Sequence, residues 1–199
     1  MVEVLKTKSE TIKKSLSETR EKRKFQDCKV YELKLDISHI HKKKLNDLNL
    51  LFTEAKYLYN HILSDSQSND IFLFDTKIDI VNVLNKDKNK ITKELNIIGS
   101  QIKQSIHSRM LDSISALSKL KEKGYKIGKL KFKSRINSIP LKQFDTTYRF
   151  HPEKPNYVKI QNIKGYFKVN GIKQIPKDSE FANATLIKKN NNFYLSITC

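Results

Sequence analysis

The segment from Val30 to Ser38 reads as a strand whose partners are not beside it. Tyr31, Leu33, Leu35 and Ile37 alternate with Glu32, Lys34, Asp36 and Ser38, the period-two pattern of a strand with one buried face. A lone strand can neither fill its hydrogen-bonding ladder nor bury that face, so it needs a sheet of several strands. The long stretch that follows reads as helical, and the next strand-like segments come only after Arg135. The constraint is topological: a helical region is inserted into a β domain, and the fold class is α+β.

Within the insertion, Lys43 to Ser64 carries Leu45, Leu48, Phe52, Ala55, Leu58 or Tyr59, and Ile62 at three- and four-residue steps, which predicts one amphipathic helix. Ser64-Asp-Ser-Gln-Ser-Asn-Asp70 is a polar loop. Thr76 to Asn96 gives a less regular helical pattern on Ile78, Val81, Leu84, Ile91 and Leu95, as one helix or two. The clearest helix follows Gly99, with Ile102, Ile106, Met110, Ile114, Leu117 and Leu120 on one side. Lys103, His107, Arg109, Lys119 and Lys123 lie largely off that side. Gly124 falls where a left-handed C-terminal cap is expected. The apolar stripe reads as the core of a helix bundle.

After Arg135 come short extended segments at Thr146–Phe150, Tyr157–Ile163, Tyr166–Val169, Ala184–Lys188 and Phe193–Thr198. Lys164-Gly165 and Asn190-Asn-Asn192 are the turn signals, since Gly and Asn tolerate positive φ. With the Val30 strand these make about five or six strands, enough for a small antiparallel barrel. The predicted organisation is a tail or frayed helix over 1–27, a barrel from 28–38 plus 136–199, a helical lobe over 39–125 and a basic connector over 126–135. In the tail, Leu5, Ile12 and Leu16 are too sparse for a buried stripe, and Arg20-Glu-Lys-Arg-Lys24 reads as a solvated charge run.

The connector carries the chemistry. In Lys129-Leu130-Lys131-Phe132-Lys133 an extended chain sends three lysines to one side and two apolar residues to the other, so Phe132 is expected inside and the lysines outside. The chain as a whole has a formal charge of +18, from 39 Lys+Arg against 21 Asp+Glu, which draws it to polyanions. Lysine greatly outnumbers arginine, favouring phosphate neutralisation over bidentate base readout. No apolar run approaches the roughly 18 residues that span a bilayer, and no signal pattern opens the sequence, so the expectation is a cytoplasmic protein without a membrane partner. Cys28 and Cys199 are the only cysteines, and they form neither a disulfide framework nor a zinc motif.

Three stretches, Tyr57-Leu-Tyr-Asn60, Gly128-Lys-Leu-Lys-Phe-Lys-Ser134 and Ser138-Ile-Pro-Leu-Lys-Gln143, occur in an order that resembles the N-terminal half of TnpB. That family comprises transposon-encoded RNA-guided DNA nucleases of insertion sequences, related to the type V CRISPR effectors. The resemblance covers roughly Lys29 to Cys199. It implies that the barrel is an OB-like wedge domain and the helical insertion a recognition lobe lying along a guide RNA–target DNA duplex. It also implies guide RNA and double-stranded target DNA as partners, with the protein reading only a short motif beside the target. The family's nuclease half uses a RuvC-like carboxylate site holding two divalent metals, whose first Asp lies in an Asp-x-Gly context. No Asp here is followed two residues later by Gly, and the sequence stops at Leu195-Ser-Ile-Thr-Cys199. The expectation is therefore a chain that does not itself cut DNA and holds no cofactor, the metals belonging to the nuclease domain, and that lacks the family's zinc ribbon.

No catalytic or metal-binding residues are predicted. His39-x-His41 reads as a surface pair, His61, His107 and His151 are isolated, and no Ser or Cys has an identifiable base. The candidate nucleic-acid contacts are Lys103, Arg109, Lys119, Lys123, Lys129, Lys131, Lys133, Arg135, Lys142 and Gln143. Phe132, Phe144 and Tyr148 are aromatics suited to stacking on unpaired bases, and each taken singly is read as buried in the barrel. Three functional readings follow: the binding portion of an RNA-guided nuclease without its nuclease domain, one half of a split nuclease completed by a second chain, or a standalone nucleic-acid-binding regulator.

Overall fold

A computed structural model describes residues 8–25, 27–85, 87 and 89–199. Helix α1 (Lys8–Lys24) precedes strand β1 (Val30–Asp36); helix α2 (Lys42–Asp65), strands β2 (Ile80–Leu84) and β3 (Lys90–Glu94) and helix α3 (Ser100–Glu122) follow. Strands β4 (Ser138–Leu141), β5 (Tyr148–Phe150), β6 (Tyr157–Ile160), β7 (Phe167–Asn170), β8 (Ala184–Lys189) and β9 (Asn192–Thr198) complete the order. On α1 the apolar Ile12 and Leu16 are exposed, as their sparse spacing requires. Leu5, and the side chains of Lys22 and Arg23 in the Arg20–Lys24 cluster, lie outside the described residues.

The solitary strand finds its partners across the insertion. β1 pairs antiparallel with β9, from Val30↔Thr198 to Lys34↔Tyr194, and with β7, from Lys34↔Asn170 to Asp36↔Lys168. It lies at the centre of a seven-stranded sheet ordered β4-β8-β9-β1-β7-β6-β5, in which Leu33 and Leu35 are fully buried. Flat, such a sheet would measure about 29 Å from first strand to last. The loop of 142–147 that joins the edge strands β4 and β5 reaches only about 25 Å at full stretch, and it folds back on itself through Thr147 N–H to Gln143 O at 2.9 Å. The edges are therefore drawn together into a nearly closed barrel. Across the remaining seam the Tyr148 hydroxyl donates to the Ala182 carbonyl at 3.0 Å. Phe181 packs on Phe144 and Phe150 with ring centroids 5.0 and 4.9 Å apart.

Strand β4 adds a member to the five or six strands expected. Its Pro140 has no N–H to give a ladder, which an edge strand such as β4 tolerates. The Asn190-Asn191 turn joins β8 to β9, with Asn190 at φ 54. The expected tight turn at Lys164-Gly165 is instead a longer connection from Gln161 to Tyr166, using positive φ at both Asn162 and Gly165.

The helical reading of Thr76–Asn96 is corrected. The segment holds a hairpin, β2 with β3, paired from Ile80↔Glu94 to Leu84↔Lys90. Ile78, Val81 and Leu84 fit a helical step, yet Ile80, Val81, Val83, Ile91 and Thr92 are β-branched and prefer a pleated surface. Val81 and Val83 point inward while Ile80, Asn82 and Leu84 are exposed. The insertion is thus two long helices and a hairpin, and not an all-helical bundle.

Helix α2 lies over the end of the barrel where β1 hands over to it. Its Lys44, Asn49 and Phe52 meet the Phe167 ring, the Lys188 ammonium and the Phe193 ring. Helix α3 is anchored at its start by Glu54 of α2. This carboxylate is 1% exposed and accepts from the backbone N–H groups of Asn96, Ile97 and Ile98 at 2.8, 2.9 and 2.8 Å. At its far end Gly124 takes φ +83. Its N–H reaches Lys121 O and that of Tyr125 reaches Leu120 O, a Schellman closure. Barrel and insertion share one continuous core.

Candidate nucleic-acid interface

The residues 125–137 between α3 and β4 carry no regular structure, so something other than a ladder must hold them. Asn60 does so. Its side-chain amide donates to Lys133 O at 2.9 Å and accepts from Lys133 N–H at 2.8 Å, replacing for that one peptide the partners a neighbouring strand would give. Beside it, the Lys133 Nζ sits 4.2 Å over the Tyr59 ring, a cation–π contact. Tyr57-Leu-Tyr-Asn60 and the Lys-rich run are therefore in direct contact, although far apart in sequence.

Helix α3 forms the opposite wall. Arg109 Nη1 donates to Ser138 Oγ at 3.2 Å, tying the helix to the start of β4. Burial lowers the pKa of Arg109. Burial, and then the Arg109 charge, lower that of Lys133. The groove between these walls encloses about 690 Å³. Arg109, Lys129, Lys131, Lys133 and Arg135 line it, no carboxylate does, and Ile106, Met110 and Leu117 supply apolar surface. Among the described residues none of these five cations has a carboxylate within ion-pair distance, in contrast to Lys103, Lys168 and Lys189 elsewhere. A second groove of about 750 Å³ runs along the other side of the connector, sharing Arg135 and adding Lys188 and Lys189.

Five of the ten predicted contacts thus converge on one groove. Lys103 is corrected: it is 4% exposed, and its Nζ donates to Ile78 O at 2.7 Å and to Asp79 at 2.5 Å, which holds the hairpin to α3. Lys119 and Lys123 are exposed at the end of α3, outside the groove lining, where cations oppose the negative end of the helix dipole. Lys142 donates to Ser108 Oγ at 3.2 Å, one residue from Arg109. Gln143 serves the seam through its backbone.

The expectation for Phe132 is also corrected. With no paired strand to impose alternation, the ring is 48% exposed at the groove. Tyr148 is buried in the barrel and Phe144 packs against it, so neither is free to stack on a base. Among the histidines, His41 caps α2 by accepting from Lys43 N–H, while His61 and His107 flank Phe74 and bond to the carbonyls of Asn82 and Ile71. Sequence reasoning assigned no role to Asn60, Tyr59, Ser138 or Glu54. The first three sit within the quoted motifs, which was the one available signal. Among the described residues no helix is long and apolar enough to cross a membrane, and no three His, Cys, Asp or Glu side chains are grouped to hold a metal.

Fold and site together define an arrangement: a barrel-like sheet carrying a helix-and-hairpin insertion, with a cation-lined groove at their junction. No protein-family model matches the sequence, and no curated protein matches it.

Proposed function

We propose that this chain binds nucleic acid through the α3–connector groove, as the guide-RNA- and target-DNA-binding N-terminal portion of a TnpB-like RNA-guided nuclease. The carrying observation is the convergence of Arg109, Lys129, Lys131, Lys133 and Arg135 on one groove without a carboxylate. Uncompensated cations repel one another and concentrate polyanions, and neutralising phosphates releases counterions from the nucleic acid. The specific family reading rests on the motif resemblance, supported by the contact between two of those motifs through Asn60 and Lys133. In this reading the barrel is an OB-like wedge, the insertion is the recognition lobe, and the chain acts in the cytoplasm. No catalytic step or cofactor is assigned to it, and cleavage falls to a RuvC-like nuclease domain.

The test is to purify the protein at moderate salt and sequence the RNA that accompanies it, with a high-salt wash as control. One enriched, structured RNA species supports guide binding and directs a search for a second chain with an Asp-x-Gly strand. A heterogeneous RNA pool leaves a general nucleic-acid binder and sinks the guide-specific reading.

A further inference from the structure

We propose that Arg109, Lys133 and Ser138 form a discrete oxyanion pocket in the wall of the groove, which holds a single phosphate group of the nucleic-acid backbone. This rests on the reading of the groove as a nucleic-acid interface and assigns it a defined anchoring point.

The argument begins with unmet donors. Arg109 has five N–H donors in a planar fork, and its bonds in the structure are Nη1 to the Ser138 hydroxyl and, at 3.5 Å, to the Ser138 carbonyl. The rest of the fork has no acceptor among the described residues. Ser138 accepts from Arg109 through its hydroxyl oxygen, which leaves the hydroxyl proton directed elsewhere, with no described acceptor. Lys133 has three ammonium protons and no hydrogen-bond acceptor, only the face of Tyr59. A guanidinium fork, an ammonium and a hydroxyl proton are the donor set that suits a tetrahedral oxyanion.

Two cations that feel each other across a partly dry groove are unfavourable unless a counter-charge arrives. The Tyr59 contact offsets some of this for Lys133, but does nothing for Arg109. Asn60 fixes the Lys133 backbone through its N–H and C=O, and the Tyr59 face restrains its ammonium. Arg109 is fixed in turn by its bonds to β4. Both charges are therefore restrained beside the groove before an anion binds, which lowers the ordering cost of capture. Lys129 and Lys131 share the groove without such restraints and act as a general field.

The pocket is tested with inorganic phosphate as the probe. The thermal midpoint is measured in chloride and in phosphate at matched ionic strength, for the wild type and for Arg109→Gln, Lys133→Gln and Asn60→Ala, with Lys119→Gln as the control cation outside the groove. The general stabilising effect of phosphate should appear in all five proteins. The wild type and Lys119→Gln should gain an additional increment, and the other three should lose at least half of it. Asn60→Ala removes no charge and so tests positioning, while Arg109→Lys keeps the charge and remains usable if Arg109→Gln does not fold. An equal increment in every protein overturns the pocket.

A second arm measures binding of a single-stranded RNA against salt. Loss of one phosphate contact should lower the magnitude of the log–log slope by about 0.7 in Arg109→Gln, the value for a single strand. Steep RNA binding with an unchanged slope overturns the pocket and leaves the groove reading standing. A site-dependent phosphate increment without RNA binding supports the pocket and overturns the nucleic-acid reading.

Discussion

The side chain of Asn60 and the backbone of Lys133 hold each other by two hydrogen bonds, 2.9 and 2.8 Å long, and beside the Lys133–Tyr59 cation–π contact this exchange attaches the connector's basic run to helix α2. Asn60→Ala removes both bonds at a partly solvated site, which should cost about 1 kcal/mol. Its larger effect is local: residues 125–137 lose their tether, and trypsin should cut among Lys126, Lys129, Lys131 and Lys133 several times faster than in the wild type. Unchanged cleavage kinetics would show that the connector is held elsewhere.

Glu54 presents the opposite case, a buried charge satisfied by backbone donors alone. Glu54→Gln keeps the shape but places an amide NH2 where one carboxylate oxygen accepts, leaving at least one of the Asn96, Ile97 and Ile98 N–H groups unpaired. The expected loss is about 3 kcal/mol, read as a lower urea midpoint at unchanged slope.

Lys103→Met separates structure from binding. It should weaken the fold by about 1–2 kcal/mol, because Ile78 O loses its ammonium donor while Asp79 is left largely in water. RNA affinity and its salt slope should not move. A reduced slope would return Lys103 to the interface.

The barrel seam predicts an alkaline response. Burial, followed by the charges of Cys199 and Asp145, raises the pKa of Tyr148 well above its ordinary value of 10.0. The native state therefore keeps its proton over a range where the unfolded chain releases it. Stability from this group is fully present below about pH 10 and falls as pH rises above it. Tyr148→Phe should cost about 1 kcal/mol at neutral pH through the lost bond to Ala182, and should make the alkaline decline of stability shallower. An equally steep decline in the variant would place its origin in other groups.

The topology was legible because of a shortage: one alternating strand with no local partner forces a non-local sheet, and β1 indeed lies between β7 and β9. The Gly124 stop of α3 was legible too, since its φ of +83 favours glycine at a helix C-terminus. The hairpin was misread because Ile78, Val81 and Leu84 recur at a helical step of three, whereas the burial follows the period-two pair Val81 and Val83. Of the site, the cations of the connector could be read from composition, but which of them share a groove could not. Lys103 and Arg109 sit on the same helix and look alike in sequence. One is sealed beneath the hairpin and the other opens beside β4, a difference set by neighbours far away in the chain.

The position of β1 also orders events during synthesis. A ribosome releases β1 early, then the whole insertion, and only much later β7 and β9, the two strands that flank it. Through that interval Leu33 and Leu35 have no sheet to enter, and closing so long a loop is intrinsically slow. The nascent chain thus carries an unpaired apolar strand until β7 and β9 are made, the kind of exposed segment that chaperones shield and that otherwise aggregates. Until β7 and β9 have been made, the barrel cannot close around β1, whatever the helices have already assembled.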